Sequence, residues 1–295
     1  MSEKLNSLNI IGCGKVGKTL ARLWIKHDIF EIRDIVTRSM ESARSAVNFL
    51  GGGTPVNHLD KIKKADIFLI ATPDDQIHKT CQALSEMDLI KSGNIVFHCS
   101  GALSSLELDQ LKSSGAHVAS IHPVKSFANP DSACETFDGT FCGTEGEKEA
   151  LEILHPAFEK IGGIIFSIDA QHKTEYHAAN VIVCNYLTAL IELGTKVYER
   201  SGLSYQTAMQ VMEPLVRETV NNNFSLGTVN ALTGPIARGD SELVNHQLKI
   251  LKNWNPEIAD LYAMLGKLSL ELSKTKGTAS EEALKKIEQV FSKND

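Results

Sequence analysis

Short, continuously apolar runs alternate with helical patterns over the first 168 residues of the chain. Runs such as IFLIAT and NIVFH are typical of central parallel strands that are covered on both faces. Between two such runs, Lys15–Lys26 carries Val16, Leu20 and Trp24 at helical spacing. Alternating strands and helices predict right-handed βαβ units and a doubly wound sheet. The predicted strands are Leu8–Ile11, Ile32–Val36, Ile67–Ala71, Ile95–His98, Val118–Ile121, Thr140–Cys142 and Ile164–Ile168.

The pattern changes near Gln171, after which no strand pattern returns. Residues 172–200, HKTEYHAANVIVCNYLTALIELGTKVYER, keep a helical period for about eight turns. The sequence therefore predicts an α/β sheet domain at residues 1–168, followed by an all-helical domain at residues 169–295 for substrate binding or dimerisation. The further predicted helices are Tyr205–Asn222, Glu242–Asn253, Pro256–Ser273 and Glu281–Ser292.

Composition and charge narrow the range of partners. The 295 residues suffice for two domains, and 42% hydrophobic with 22% charged residues is ordinary for a soluble globular protein. A formal net charge of −6 leaves no basic surplus for nucleic acid or an anionic membrane. No run approaches the roughly 18 apolar residues that span a bilayer, and no signal-peptide pattern opens the chain. Six scattered cysteines without a CxxC pair indicate reduced thiols, no metal site and a cytoplasmic protein.

A glycine-rich turn joins the first predicted strand to the first predicted helix. In such a turn the first glycine permits the bend, the second lets a pyrophosphate approach the backbone, and the third lets helix and strand pack closely. The amino end of the helix faces the phosphates. Because this GxGxxG opens a βαβ series, it predicts a Rossmann dinucleotide-binding domain, the alternative being a turn without a ligand. The residues are Gly12, Cys13, Gly14, Lys15, Val16 and Gly17.

The end of the second predicted strand distinguishes between the two nicotinamide dinucleotides. An acidic residue there would bind the ribose hydroxyl of NAD, whereas this chain has Thr37, Arg38 and Ser39. Arg38 can pair with a 2′-phosphate, and the two hydroxyls can complete the cradle. The alternative is that Arg38 is a solvated loop cation. The sequence favours NADP (NADPH) as the cofactor.

Two later strand ends are predicted to line the same cofactor, since ligands bind at the carboxyl ends of parallel strands. One is the turn Ala71, Thr72 and Pro73, and the other contains Ser100 and Gly101, whose small size lets a nicotinamide approach. The aspartates Asp74 and Asp75 are predicted only to cap the next helix.

A histidine stands where a further predicted strand ends. His122 precedes Pro123, and Lys125 and Ser126 follow as candidate substrate contacts. At this edge of the sheet His122 can face a bound substrate, or it can only stabilise its turn.

The long helix begins with polar residues on one face. Lys173, His177 and Asn180 follow one another at spacings of four and three, which places them on a shared face. Hydride addition to a C=O or C=N bond needs a proton donor, which Lys or His can supply. We expect this face to line an inter-domain cleft. Alternatively Lys173 is solvent-exposed and His177 packs between the domains.

Residues 230–240 combine a Gly-Pro step with Thr233 and Arg238 in a predicted loop between helices. Such a loop can close over a substrate, with Arg238 meeting a carboxylate. Asp240 or Ser241 can instead cap the following helix.

Six blocks follow one another in order along the chain: IIGCGKVG, IATPDDQI, HCSGALSS, IHPVKSFA, HKTEYHAANVIVCNYL and ALTGPIARGD. With them, nearly the whole chain resembles a family that pairs a Rossmann-like domain with a helical domain of unknown function 2520. The resemblance implies kinship with pyrroline-5-carboxylate reductase, ketopantoate reductase, prephenate dehydrogenase and the β-hydroxyacid dehydrogenases. Those enzymes use a nicotinamide cofactor at the Rossmann domain and a cleft against a helical domain.

The resemblance also bears on two candidate residues. Lys173 and Asn180 look like the catalytic Lys-Asn pair of the β-hydroxyacid dehydrogenases, but His177 occupies the position four after Lys173, where that family has Asn. This departure leaves open whether Lys173, His177 or His122 donates the proton. HPVKSF is similar to the His-Pro segment of prephenate dehydrogenases.

The sequence as a whole predicts an NADP(H)-dependent oxidoreductase that acts on a small keto, hydroxy or imino acid. No nucleic-acid or membrane partner is expected. A homodimer is predicted, because helical domains of this kind bury apolar helices against a second copy. One alternative is a non-catalytic NADP-binding sensor or regulatory module. Another is a reductase that uses a deazaflavin, which the Arg38 cradle disfavours.

Overall fold

The computed structural model describes residues 5–292, which form two compact units. The first unit ends at Leu187 and the second begins at Thr188. The domain boundary that we place at residue 168 from the sequence stays a prediction. The first unit contains one eight-stranded sheet in the order β3-β2-β1-β4-β5-β6-β7-β8. The strands are β1 (Asn6–Ile11), β2 (Phe30–Val36), β3 (Thr54–Val56), β4 (Ile67–Ile70), β5 (Ile95–His98), β6 (His117–Pro123), β7 (Phe141–Gly146) and β8 (Ile164–Ser167).

Helices and apolar cores lie on the faces of this sheet. On one side Trp24 packs edge-on against Phe30 and Phe158, with ring centroids 5.2 and 5.4 Å apart. A second buried cluster includes Phe68 and Val96, whose neighbours along the strands belong to the first cluster. Two separate cores confirm the predicted doubly wound α/β fold. The helices are α1 (Lys15–Lys26), α2 (Met40–Leu50), α3 (Asp74–Ser85), α4 (Pro130–Glu135), α5 (Lys148–Glu159) and α6 (Lys173–Asn180).

The sheet differs from the prediction at two places. Strand β3 was not predicted from the sequence: it has three residues, includes Pro55 and forms the sheet edge, where a missing N–H costs little. Strand β7 pairs antiparallel with β6, whereas every other pair in the sheet is parallel. The short connection through α4 reverses the chain direction there instead of making a βαβ crossover.

After α6, a π-helical segment (Val181–Asn185) leads into α7 (Tyr186–Arg200). In the second unit, α7 continues through Gly194, where a Cβ atom would stand 3.1 Å from the sulfur of Met212 on α8. No strand occurs between Thr188 and Ser292, which confirms the prediction that this part of the chain is all-helical. The remaining helices are α8 (Tyr205–Leu226), α9 (Thr228–Ala231), α10 (Gly234–Arg238), α11 (Ser241–Trp254), α12 (Pro256–Lys276) and α13 (Glu281–Ser292).

The segment 230–240 is not the open loop that the sequence suggested. Pro235 lies in the first turn of α10, and Gly239 caps its end in the left-handed conformation at φ 75°. Proline at the start and glycine at the end are the signals of a short helix, so the prediction of a loop was wrong. Asp240 then caps α11, because its side chain accepts a hydrogen bond from the Leu243 N–H.

One helix is long and apolar enough to cross a membrane by length and composition alone. It covers residues 170–200 with a mean hydropathy of 1.3. This is weak evidence for a membrane span, since core and interface helices pass the same test. At its beginning Lys173 is buried in the first unit.

Candidate active site

The turn between β1 and α1 has the geometry that phosphate binding requires. Gly12 adopts φ 77°, and a Cβ there would stand 2.7 Å from the Thr72 nitrogen, so this position needs glycine. Gly14 has no atom within 4 Å of the position a Cβ would take, and no side chain caps α1. Gly17 lies close to Ala71, since a Cβ atom on Gly17 would stand 3.2 Å from the Cβ of Ala71. The free N–H groups of the first helical turn therefore face open space at Gly14.

The segment after β2, residues 37–39, contains one positively charged side chain, that of Arg38. Arg38 is exposed, and within the described chain it takes part in no salt bridge. The Thr37 hydroxyl donates to the Ser39 carbonyl at 2.8 Å, and the Ser39 hydroxyl accepts from the Ser42 N–H as the cap of α2. Both hydroxyl groups are thus already engaged locally, which leaves the guanidinium of Arg38 as the group open to a phosphate.

The turn after β5 is braced by hydrogen bonds. The Ser100 hydroxyl donates to a carboxylate oxygen of Asp74 at 2.9 Å and accepts from the Ala102 and Leu103 N–H groups. Asp74 lies in the first turn of α3, whose cap is Pro73 without a side-chain hydrogen bond. The prediction that Asp74 or Asp75 caps this helix was therefore wrong, because the helix begins at Asp74 itself. The Thr72 hydroxyl is one of the buried polar atoms left without a partner in the described chain.

Two imidazoles meet over Gly101. The His122 and His177 ring centroids are 5.9 Å apart. A Cβ at Gly101 would stand 2.5 Å from Nδ1 of His177 and 2.8 Å from Nε2 of His122. The His122 Nδ1 is hydrogen-bonded to the Tyr176 hydroxyl at 2.8 Å. The nitrogens of both rings thus converge on the backbone of a turn that the sequence predicts to line the cofactor.

Polar groups on the His177 face of α6 remain without partners. Nδ1 of His177 and Nδ2 of Asn180 are buried, and neither makes a hydrogen bond of ordinary geometry among the described residues. The Asn180 side chain lies near enough to the Tyr176 hydroxyl to affect the pKa of that hydroxyl. A buried polar atom without a partner costs about 1–3 kcal/mol, so such atoms are rare outside ligand sites. These two groups are therefore candidates for contact with a substrate or cofactor.

Lys173, at the start of α6, is buried against β6 and β7. Its ammonium donates to Glu145 of β7 at 2.9 Å and to the Ser120 hydroxyl of β6. Glu145 also accepts from the N–H and the hydroxyl of Ser105, at 2.8 and 2.7 Å. Lys173 is 1% exposed, so its charge is enclosed by protein.

Burial sets the protonation of this region. Desolvation, aided by the charges of His177 and Lys173, lowers the pKa of His122 to about 4. Desolvation and Lys173 likewise lower the pKa of His98 to about 4. Desolvation also lowers the pKa of Lys173, against the opposing effect of Glu145. Both histidines are consequently neutral at pH 7.

The other predicted substrate contacts are divided between the two units. Lys125 donates to the Thr136 carbonyl at 2.7 Å, and Ser126 is exposed. Thr233 and Arg238 are exposed residues of the second unit. In residues 5–292, no group of three or more His, Cys, Asp or Glu side chains is arranged to hold a metal ion.

Two residues of this cluster were absent from the sequence-based prediction. Tyr176 binds His122, and it lies three residues after Lys173 on the same helical face. Glu145 was visible as an acid inside the apolar run TFCGTEG. A buried carboxylate requires a cation or several N–H donors, which was the available signal.

Comparisons with known proteins agree with this architecture. Residues 2–123 match the Rossmann-like domain, and residues 140–269 match the domain of unknown function DUF2520. The chain is 28% identical to protein TM1727 from Thermotoga maritima, covering 91% of this chain and 99% of that one at a TM-score of 0.71. A search of the curated proteins finds no match.

Two further solved structures share the fold. The candidate NADP oxidoreductase BF3122 from Bacteroides fragilis is 19% identical, with a TM-score of 0.73 and coverage of 90% and 98%. The pyrroline carboxylate reductase of Plasmodium falciparum, solved with NADP bound, is 14% identical, with a TM-score of 0.55 and coverage of 98% and 97%. The two domain matches cover residues 2–123 and 140–269, and each of the three structural matches covers at least 90% of the chain. The chain therefore contains a Rossmann-like domain followed by a DUF2520 domain.

Proposed function

We propose that the protein is an NADP(H)-dependent oxidoreductase that transfers a hydride to or from a small keto, hydroxy or imino acid. The observation that carries this proposal is the convergence of His122 and His177 on Gly101. A proton-transferring pair at a turn of the cofactor edge is what a reductase needs, whereas a binding module does not. The NADP-related neighbours in the comparisons support the proposal.

The residues of the glycine-rich turn fit a dinucleotide. The space beside Gly14 and the uncapped start of α1 suit a pyrophosphate, because N–H groups and the helix dipole favour negative charge there. Arg38, exposed at the end of β2, suits a 2′-phosphate. A bound nicotinamide supplies or accepts the hydride. The turns at Thr72 and Gly101 would then hold it beside the imidazoles.

The two histidines supply the proton chemistry. Tyr176 holds Nδ1 of His122, so Nε2 is the nitrogen that faces the space over Gly101. Reduction of a C=O or C=N bond adds a proton to the oxygen or nitrogen as the hydride reaches the carbon. His122 would pass on that proton after taking one up from solvent, because the neutral ring would otherwise have to become an anion. In the reverse direction a neutral His122 accepts the hydroxyl proton. Its pKa of about 4 keeps it neutral and ready to accept that proton at pH 7.

A non-catalytic NADP-binding sensor remains the second candidate, since the glycine turn and Arg38 serve it equally well. The convergence of His122 and His177 on Gly101 favours catalysis, because a sensor needs no proton-transferring group beside the nicotinamide. We place the reaction in the cytoplasm, in keeping with six free cysteines.

The first experiment measures thermal stabilisation by NADPH and by NADH. A ligand that binds only the folded state raises its stability by mass action. We expect NADPH to stabilise the protein more than NADH, and Arg38→Ala to remove that difference. Arg44→Ala, an exposed arginine one turn into α2, is the matched control and should keep it. If neither nucleotide shifts the transition, the oxidoreductase proposal is wrong.

A second experiment separates enzyme from sensor. NADPH oxidation is followed with a panel of small keto and imino acids, for the wild type and for His122→Asn. We expect turnover with at least one compound and a 10²–10⁴-fold loss in His122→Asn. Strong NADPH binding without turnover of any compound would support the sensor instead.

A further inference from the structure

Lys173 is a fully buried cation with a complete set of partners. Its ammonium is held between Glu145 and Ser120, and Glu145 is in turn held by the N–H and hydroxyl of Ser105. Lys173 and Glu145 are 1% and 8% exposed. The ammonium is thus enclosed by these partners and does not face solvent, so its charge acts on the groups around it.

The register of helix and strand relates this ion pair to the imidazoles. Ser120 and His122 are two apart on β6, which places them on the same face of the sheet. Lys173 and Tyr176 are three apart on α6, which places them on the same helical face. The helix is thus attached to the strand at two points, Lys173 to Ser120 and Tyr176 to His122.

We propose that Lys173 is a positioning residue whose ammonium fixes the start of α6 on β6 and β7, and so holds Tyr176 and His177 against His122. This inference rests on the proposed function, for which His122 is the proton-transferring group. Lys173 then does not touch the substrate. It determines where the imidazole nitrogens lie and which charge they experience.

The charge of Lys173 gives the inference a measurable consequence. On α6, Tyr176 bonds to His122, the His177 ring centroid lies 5.9 Å from that of His122, and the charge of Lys173 acts on His122. Lys173 is itself bonded to Glu145 and to Ser120, and the Ser120 hydroxyl also lies 3.3 Å from Nδ1 of His98. A nearby positive charge disfavours protonation of an imidazole. Loss of the ammonium should therefore raise the pKa of His122 from about 4. A lysine that only filled space would leave this pKa unchanged.

The test is an NMR titration of ¹⁵N-labelled imidazoles in the full-length protein, with the His122 signal assigned by its loss in His122→Gln. Lys173→Met should raise the pKa of His122 by at least half a unit and change the Nδ1 shift that reports the bond to Tyr176. Lys173→Arg should keep the wild-type values, since it restores the charge. NADPH binding, measured by fluorescence, should stay within about twofold of the wild type in the Lys173 variants.

A second variant covers the case in which Lys173→Met leaves Glu145 stranded and does not fold. In Lys173→Met with Glu145→Gln no unpaired charge remains, and Ser105 can still bond to the new amide. A rise in the His122 pKa is again expected, smaller than in Lys173→Met alone because loss of the carboxylate opposes loss of the ammonium. An unchanged titration in the folded variants, or a Lys173→Arg protein that behaves like the methionine variant, overturns the inference. If the wild type itself fails to bind NADPH, the proposed function is wrong, but the titration still decides the role of Lys173.

Discussion

In the first unit His98 is buried and His122 is half-buried, and neither ring bonds to a carboxylate. His98 bonds through Nε2 to the Ser104 carbonyl at 3.1 Å, and its Nδ1 accepts from the Ser100 N–H at 3.2 Å. His122 bonds through Nδ1 to Tyr176. These neutral partners stabilise an imidazolium less than burial destabilises it, so both rings stay neutral.

These two residues make stability depend on pH. Their pKa values are about 4 in the folded protein, against the ordinary value of 6.5. Between these values the unfolded chain binds protons that the native state excludes, so the free energy of unfolding falls as pH falls from 6.5 to 4. Each ring contributes at most about 3 kcal/mol to this fall. Denaturant unfolding at a series of pH values measures it.

The matched variants for this pH effect are His98→Asn and His58→Asn, since His58 is exposed. We expect His98→Asn to flatten the curve below pH 6.5 and His58→Asn to leave it as in the wild type. Equal slopes for the two variants would show that buried imidazoles do not control acid stability.

Substitutions at Gly12 and Gly14 distinguish an effect on stability from an effect on cofactor binding. Gly12→Ala places a methyl 2.7 Å from the Thr72 nitrogen at φ 77°, so we expect a loss of more than about 2 kcal/mol in unfolding free energy. Gly14→Ala meets no atom within 4 Å and should cost less than about 1 kcal/mol. The same methyl occupies the space for the pyrophosphate, and NADPH affinity should fall at least tenfold. Urea unfolding and NADPH titration check both; a Gly14→Ala protein with normal affinity contradicts the phosphate site.

At the level of elements, the helices and strands that could be predicted are those with a recognisable pattern in their own residues. Helix α1 has the bounds expected from its apolar spacing, and the continuously apolar β4 is buried at every residue. The edge strand β3 is too short to show a period, and the antiparallel pairing of β7 depends on a connection rather than on β7 itself. The glycine turn was predictable for the same local reason. The Lys173–Glu145 pair joins residues 28 apart in sequence, so spacing alone did not reveal it.

The start of α11 provides a test of one local element. The Asp240 side chain accepts from the Leu243 N–H at 3.1 Å and satisfies one of the free donors of the first turn. Asp240→Ala should lower the free energy of unfolding by about 1 kcal/mol. Ser241→Ala, one residue later inside the helix, is the control and should change it by less than about 0.5 kcal/mol. Equal effects in chemical denaturation would mean that the cap contributes nothing.

At the level of the whole molecule, the helices of the second unit expose much apolar surface. Phe224 at the end of α8 is 89% exposed, and Leu215 on the same helix is 57% exposed. Leu268 and Met264 on α12 are 63% and 61% exposed. A groove of about 450 Å³ with an almost entirely apolar lining runs between α7 and the pair α11 and α12. Exposed apolar surface of this extent is typical of an interface rather than of a solvated face.

We expect a second copy of the chain to cover this surface. A two-fold dimer is the commonest arrangement of identical chains, and apolar ridges beside an apolar groove allow one surface to complement itself.

Light scattering at micromolar concentration should then give twice the chain mass of 32.2 kDa. Leu215→Asp with Phe224→Asp should shift the mass to that of one chain, because a carboxylate buried in the interface would lack a partner. Leu106→Asp, at a 58% exposed leucine of the first unit, should leave the dimer intact. A wild-type mass of 32.2 kDa would contradict the dimer, and binding to lipid vesicles would assign the apolar helices to a membrane instead.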